Sequence, residues 1–162
     1  MNRIPTGQIL RTAAGRDLVL TRTFRAPIDD VWASITESER TARWFGPWEG
    51  DAGVGKSIRY QMSFEATDAW SQMTIAACDP PRHLRLTAVD DYGSWDLELH
   101  LSETNGTTEL RFVQHLDDGT DVGSVGPGWE YYLDNLVATR DGTPMPQFEE
   151  YYPAQKDYYQ SQ

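Results

Sequence analysis

The stretch "GPGWEYYLDNLVATRDG", residues 126–142, decides the fold, because it carries a regular apolar stripe between two helix-terminating signals. Pro127 suits a first helical turn, and Gly142 suits the left-handed residue that follows a last turn. The stretch therefore predicts a helix that buries one face against another layer and keeps Glu130 on its polar side. The apolar residues recur at the i, i+3, i+4, i+7, i+8 spacing of one helix face: Trp129, Tyr132, Leu133, Leu136 and Val137.

Much of the remaining chain alternates apolar and polar residues, which is typical of strands with one dry face. The segments "DPPR", "DDYG" and "TNG" between the last four strands are short turns, whereas a parallel crossover needs about a dozen residues. They predict an antiparallel meander, and "TGQILRT" (6–12) is expected to pair with the first strand as a hairpin arm. The predicted strands are "RDLVLTRTF" (16–24), "KSIRYQMSF" (56–64), "WSQMTIAAC" (70–78), "HLRLTAV" (83–89), "SWDLELHLS" (94–102) and "TTELRFVQHL" (107–116).

Two short helices are predicted within "APIDDVWASITESERTARWFGPWEGD" (26–51). Pro27 and two following acidic residues suit the start of the first, and Ser38 is expected to cap a second that ends near Trp44. The element order is then one strand, two helices, five strands and one long helix. This order predicts an α+β fold in which a curved antiparallel sheet wraps around the C-terminal helix.

Length and charge narrow the classes of function. The 162 residues predict a single domain, 1–142, followed by an aromatic-rich tail, 143–162. A net charge of -11 argues against nucleic-acid and membrane-surface partners, because both require clustered Lys and Arg. The single cysteine, Cys78, excludes an internal disulfide. With no apolar export segment near the start and no run of about 18 apolar residues, we expect a cytoplasmic protein.

Four stretches resemble, in order, the landmarks of the bacterial family similar to the activator of the heat-shock protein 90 ATPase. They are "LTRTFRAPIDDVWASITESERTARWFGPW", "DPPRHL", "TTELRFVQH" and "GPGWEYYLDNL", and the resemblance covers roughly residues 16–141. This family belongs to the START-like, Bet v-like helix-grip superfamily, also called SRPBCC. The resemblance implies a cavity between sheet and long helix that holds an apolar or aromatic small molecule, with functions that vary among members. Where the family has a glutamate before the Asp-Pro-Pro turn, this sequence has Ala76 or Ala77, so a shared polar site is not implied.

Ten residues are candidates to line such a cavity, although each is more often a packing residue. Tyr60 and Tyr132 are the preferred anchors for a ligand oxygen, because a buried phenol needs a hydrogen-bond partner. His115 suits either the orientation of a ligand or a bond to a backbone carbonyl at a strand end. The candidates are Trp44, Tyr60, Met62, Phe64, Trp70, Trp95, Phe112, His115, Trp129 and Tyr132.

Several polar residues outside this set carry side chains suited to chemistry. Asp96, Glu98 and His100 share one strand face and suit either an acid–base group or a solvated outer face, and the apolar residues between them favour the outer face. The three histidines lie far apart in the sequence without carboxylate or cysteine partners at ligand spacing, which predicts no metal site. Cys78 is expected to be a small buried hydrophobe. No catalytic residue and no cofactor are predicted.

Three functions remain open from the sequence: a binding protein for a small apolar or aromatic molecule, an interaction module that acts on a chaperone or another protein, and a cyclase-like enzyme. A roomy cavity would favour the first, and a filled core with an exposed apolar patch the second. The tail "TPMPQFEEYYPAQKDYYQSQ" has three expected roles: packing on its own domain, covering the cavity, or forming a homodimer. Packing on its own domain is favoured.

Overall fold

The computed structural model describes residues 2–91 and 93–162. They form one eight-stranded sheet with helices packed against it. The strands are β1 Gln8–Thr12, β2 Gly15–Phe24, β3 Trp48–Glu49, β4 Ser57–Gln61, β5 Trp70–Asp79, β6 His83–Asp90, β7 Gly93–Thr104 and β8 Thr107–Leu116. The helices are α1 Ile28–Thr36, α2 Ser38–Thr41, α3 Val122–Asp141 and α4 Lys156–Gln160, with a 3-10 turn at Phe148–Glu150. All neighbouring strands are antiparallel, in the order β1-β2-β8-β7-β6-β5-β4-β3.

The meander and the hairpin arm are confirmed. β5 to β8 pair in sequence, and β1 pairs with β2 from Gln8 opposite Val19 to Thr12 opposite Gly15. The "TNG" turn places Asn105 and Gly106 at φ 51° and 77°, the left-handed geometry that matches the twist of a two-residue hairpin. The predicted "DDYG" turn includes Tyr92, which lies outside the described residues.

The strand predicted over 56–64 is shorter than expected, because β4 ends at Gln61. The chain then turns towards the loop before β3, where the amide of Ser63 donates to the carbonyl of Phe45 at 3.1 Å. Gly46 permits this approach, since a side chain there would overlap the carbonyl oxygen of Gln61. Met62 and Phe64 consequently lie in a loop and not on the sheet.

The first two helices are confirmed, but Ser38 is not the cap that was expected. Its hydroxyl donates to the carbonyl of Trp48 at 2.7 Å and accepts from the Trp48 amide at 2.9 Å, so it ties α2 to β3. α2 ends at Thr41, three residues before the predicted end at Trp44. The Ser38 hydroxyl bonds to β3 and does not cap α2, because the Trp48 backbone offers it both a donor and an acceptor.

The long helix lies on the apolar face of the sheet, as predicted. Leu133 and Leu136 are fully buried, and the ring of Trp129 lies 4.5 Å from that of Phe112 on β8. The helix ends at Gly142 with φ 68° but begins five residues before Pro127, where the Asp121 side chain accepts a hydrogen bond from the Gly123 amide. The layered α+β fold is therefore the helix-grip arrangement, with α3 held by the sheet.

The opposite face of α3 is also buried, which corrects the expectation for Glu130. This side chain is only 1% exposed, because the chain ends cover it. The ring of Tyr159 lies over Gly126, where an added Cβ would come within 2.5 Å of it. The hydroxyl of Tyr159 donates to Glu130 at 2.6 Å. The tail therefore packs on its own chain, as favoured from the sequence.

The tail buries some of its aromatic residues and exposes others. Tyr151 and Tyr159 are fully buried, and the Tyr151 hydroxyl donates to Asp134 at 2.8 Å. Phe148 and Tyr158 are partly exposed. Among the described residues, none of the helices combines the length and the hydropathy needed to cross a bilayer.

Candidate functional site

A cavity of about 160 Å³ lies between the inner face of the sheet, the segment from α1 to β3, and α3. Its walls come from elements distant in sequence, which the helix-grip arrangement brings together. Nearly all its lining atoms are apolar, and the resulting space suits a molecule without net charge. The main lining residues are Ile35, Trp44, Phe45 and Trp48 from the α1–β3 segment, Ile58, Tyr60, Met73, Ile75, Leu84, Leu86, Leu97, Leu99 and Phe112 from the sheet, and Trp129 and Leu133 from α3.

The three tryptophans of the cavity have their indole donors occupied by the protein. Nε1 of Trp44 donates to the Ser34 carbonyl at 2.9 Å, and Nε1 of Trp48 to the Thr36 carbonyl at 2.8 Å. Nε1 of Trp129 donates to Oε1 of Gln114 at 2.7 Å. These bonds fix the ring planes and leave carbon surfaces facing the cavity.

Tyr60 supplies a polar group to this wall. Burial raises the pKa of its phenol, the charge of Asp90 raises it further, and a hydrogen bond with Ser71 acts in the opposite direction. The phenol is therefore neutral at physiological pH and keeps its hydrogen. Its ring lies 5.9 Å from that of Phe45, within the aromatic wall.

Four of the ten predicted residues line the cavity: Trp44, Tyr60, Phe112 and Trp129. Met62 and Phe64 pack against the core from the loop after β4 and are not among the lining residues. Tyr132 is buried next to Phe45, but its hydroxyl donates to Oε2 of Glu65 at 2.8 Å. Burial strongly raises the pKa of this phenol, and the loop carboxylate that it contacts raises it further.

The structure places the other three predicted residues away from the cavity. Trp70 is 39% exposed and lies with Arg59 on the outer face of the sheet, where the guanidinium is 5.3 Å from the ring centroid. The indole of Trp95 donates to Asp90 at 2.9 Å near the β6–β7 turn. His115 alternates with the inward-facing residues of β8 and also lies on the outer face.

Cys78 is exposed, which contradicts the expectation of a buried hydrophobe. The residue lies at the end of β5, after the Ile75–Ala77 irregularity that changes the pairing register, and it lines the cavity while its side chain stays exposed. Partial desolvation and the adjacent Asp79 charge raise the pKa of its thiol. A raised pKa disfavours the thiolate that nucleophilic chemistry requires.

On the outer face, five polar side chains form a cluster that we call the histidine cluster: Asp17, His83, Glu98, His100 and His115. His115 bonds through Nδ1 to Asp17 at 2.7 Å and through Nε2 to Oε2 of Glu98 at 2.5 Å. His83 Nε2 lies 2.7 Å from Oε1 of Glu98, and the rings of His83 and His100 stack at 4.6 Å. The expectation that the histidines lack carboxylate partners is therefore wrong.

The electrostatics of this cluster follow from its bonds. Partial burial alone would raise the pKa of Glu98, but hydrogen bonds from His115 and His83 outweigh it and lower the pKa. Desolvation alone would lower the pKa of His115, but its bonds to Glu98 and Asp17 raise it. Carboxylate oxygens next to both ring nitrogens favour the protonated form of His115, which has a hydrogen on each nitrogen.

Strand register explains why this cluster was missed. His83 on β6 stands directly opposite His100 on β7, and Asp17 on β2 stands opposite His115 on β8. Glu98 lies two residues before His100, on the same face of β7. The His83–His100 pairing was available from the short turn between their strands, whereas the contact with Asp17 depends on the long-range pairing of β2 with β8.

Comparisons with known proteins agree with this architecture. A family model described as "Activator of Hsp90 ATPase homolog 1-like protein" matches residues 25–141. The solved structure of CalU16 from Micromonospora echinospora is 25% identical, covers 98% of this chain and 96% of that chain, and superposes with a TM-score of 0.76. A Bordetella parapertussis protein is 22% identical, with coverage of 98% and 91% and a TM-score of 0.77.

A third similar structure is DynU16, described as a protein of the dynemicin biosynthetic locus. It is 20% identical, with coverage of 82% of this chain and 50% of that chain and a TM-score of 0.68. No curated protein sequence matches this chain. The alignments with CalU16 and the Bordetella protein each cover 98% of this chain, whereas the family model ends at residue 141. The segment after residue 141 therefore also has counterparts in these two structures.

Proposed function

Because the chain belongs to the family of activator of Hsp90 ATPase homolog 1-like proteins and has its helix-grip fold, we propose that it binds a small apolar or aromatic molecule between the sheet and α3. The observation that carries this proposal is the apolar cavity of about 160 Å³. An apolar protein cavity of about 150 Å³ is large enough for benzene. The ligand class is therefore a molecule of about one aromatic ring.

The lining indicates which features of the ligand are recognised. Aromatic faces of Trp44, Phe45 and Trp129 contact a flat apolar ring favourably through offset or edge-to-face packing. Tyr60 offers a neutral phenol for one ligand oxygen. A charged ligand would lose its hydration without a compensating ion pair in this wall, so we expect neutral compounds to be preferred.

The other functions open from the sequence have less support. His115 cannot act on a molecule in the cavity, because it lies on the opposite face of the sheet. A chaperone-interaction module was expected to have a filled core and an exposed apolar patch. The large exposed apolar residues include Ile4 before β1, Val54 between β3 and β4, and Val89 on β6, so they are spread along the chain.

Thermal denaturation with neutral ring compounds tests the proposal. Indole, toluene and phenol are suitable probes, because each has one or two rings at most and no charge. A ligand at a hundredfold excess over its Kd should stabilise the folded state by about 2.7 kcal/mol. Benzoate and benzylammonium, which are charged analogues, should give no comparable shift.

A matched pair of variants assigns any shift to this cavity. Leu86→Phe adds volume at a lining position, so it should abolish the stabilisation by ligand while the protein stays folded. Leu116→Phe makes the same change at a partly buried position of β8 that does not line the cavity, and it should retain binding. If no neutral probe shifts the melting temperature, or if both variants respond like the wild type, the cavity is not the binding site and the interaction module becomes the better hypothesis.

A further inference from the structure

We propose that His83, Glu98 and His100 form a binding site for a divalent transition-metal ion, with zinc as the reference ion, on the outer face of the sheet. Two imidazoles and one carboxylate are a ligand set that zinc accepts in proteins, with a further position left for water. The site is separate from the cavity, because these side chains lie on the other face of the sheet. It does not depend on the proposed function.

The ligand atoms already converge. Nε2 of His83 lies 2.7 Å and Nε2 of His100 lies 3.6 Å from the same oxygen, Oε1 of Glu98. All three atoms lie within 4.8 Å of one another. Tetrahedral ligands at zinc–ligand distances near 2.1 Å are separated by about 3.4 Å. The His100 distance is already close to this value, and the His83 distance must open by about 0.7 Å.

The backbone holds these side chains in place. His83 and His100 are directly opposite each other on β6 and β7, and Glu98 occupies the neighbouring position on the same face. Two adjacent strands in the middle of an eight-stranded sheet provide a rigid base. Little conformational entropy is therefore lost when the ligands bind an ion.

His115 and Asp17 position the carboxylate ligand. His115 holds Oε2 of Glu98 at 2.5 Å and is itself held by Asp17 at 2.7 Å. This leaves Oε1 as the oxygen that faces the two histidines. Partners of this kind orient a metal-binding group and typically affect metal affinity about 10–100-fold.

The surroundings favour a transition metal over calcium or magnesium. Imidazole nitrogens suit zinc, nickel and copper, whereas calcium and magnesium prefer oxygen ligands. Arg111 stands opposite His100, and Arg85 is paired with Asp96 at 2.7 Å, so cationic charge also borders the site. Protons compete with a metal ion for the imidazole lone pairs, so zinc binding should weaken in acid.

Calorimetric titration of the full chain with zinc chloride near neutral pH tests this site. We expect saturable binding of one zinc ion per chain that a large excess of magnesium does not displace. His100→Asn and Glu98→Gln should each lower the affinity at least about tenfold, since each removes one ligand. Glu39→Gln, the same change at an exposed residue of α2, should leave the affinity unchanged.

A folding check and a variant of the positioning residue His115 complete the test of the zinc site. The His100 side chain is 42% exposed, so its variant is expected to fold, and circular dichroism checks this. His115→Asn should weaken zinc binding without changing the stoichiometry, because it removes a positioning contact and not a ligand. Absence of zinc binding to the folded wild type would overturn the proposal. Unchanged affinity in both ligand variants, or loss of binding in Cys78→Ser alone, would also overturn it.

Discussion

Glu130 is the residue at which distant parts of the chain meet. Its carboxylate accepts hydrogen bonds from the amide and hydroxyl of Thr6, both at 2.6 Å, and from the Tyr159 hydroxyl at 2.6 Å. Arg22 on β2 adds an ion pair at 3.0 Å. The amide of Gly7 is a fifth donor, at 3.2 Å. A buried charge is tolerated only when such partners replace its hydration, so these five bonds account for an acidic residue in the interior.

Glu130→Gln should destabilise the protein by about 2–3 kcal/mol, because it leaves donors arranged for a carboxylate without their charged acceptor. Urea denaturation of the variant and the wild type measures this difference. Glu39→Gln, at an exposed residue, is the control and should change the free energy of unfolding by no more than about 0.5 kcal/mol. Equal stability of the Glu130→Gln variant and the wild type would contradict the buried network.

The same carboxylate predicts a pH dependence. Burial alone would raise the pKa of Glu130, but hydrogen bonds from Thr6, Tyr159 and Arg22 lower it below the ordinary value. A lowered folded-state pKa means that the stabilisation is complete above the unfolded value of about 4.3 and is lost as the pH falls through the folded pKa. The stability difference between wild type and Glu130→Gln should therefore be full at neutral pH and shrink in acid. A difference that grows on acidification would show the opposite sign of linkage.

At the scale of elements, α4 packs against α3 at one of two neighbouring glycines of α3, Gly126, and not at the other, Gly128. At Gly126 a Cβ would come within 2.5 Å of the Tyr159 ring, whereas at Gly128 it would meet no atom within 4 Å. Glycine weakens a helix at both positions. Only at Gly126 does its small size allow another element to approach.

Gly126→Ala and Gly128→Ala should therefore change stability in opposite directions. Gly128→Ala should stabilise the protein by about 0.5–1 kcal/mol through helix propensity. Gly126→Ala should destabilise it by about 1–3 kcal/mol, because the buried Tyr159 ring must move. Thermal and urea denaturation of both variants measure the two signs. Stabilisation by both substitutions would mean that α4 does not pack on α3 in solution.

At the scale of the whole molecule, the sequence predicts the features that follow from local residue patterns and misses those that depend on contacts between distant segments. Apolar periodicity places Trp129 and Phe112 on facing surfaces, so the layered fold and part of the cavity wall follow from the sequence. Nothing near Glu130 indicates that Thr6 and Tyr159 will cover it, since these lie towards the two chain ends. His83 and His100 pair across one hairpin and were within reach of local reasoning, whereas the contact of Asp17 with His115 depends on the long-range pairing of β2 with β8.

Both chain ends pack on α3 and share the Glu130 carboxylate, so we expect their amides to be protected from hydrogen exchange together. Tyr159→Phe removes only the hydroxyl, which donates to Glu130 at 2.6 Å and accepts from the Gly7 amide at 3.2 Å. Besides a loss of about 1–3 kcal/mol of stability, we expect faster hydrogen exchange at the amides of Thr6 and Gly7, which donate to the same carboxylate. Tyr152→Phe, a matched change at a tail residue that stacks on Phe148, should leave both amides as protected as in the wild type. If Tyr159→Phe leaves the exchange of Thr6 and Gly7 unchanged, the N-terminal segment is held independently of the tail.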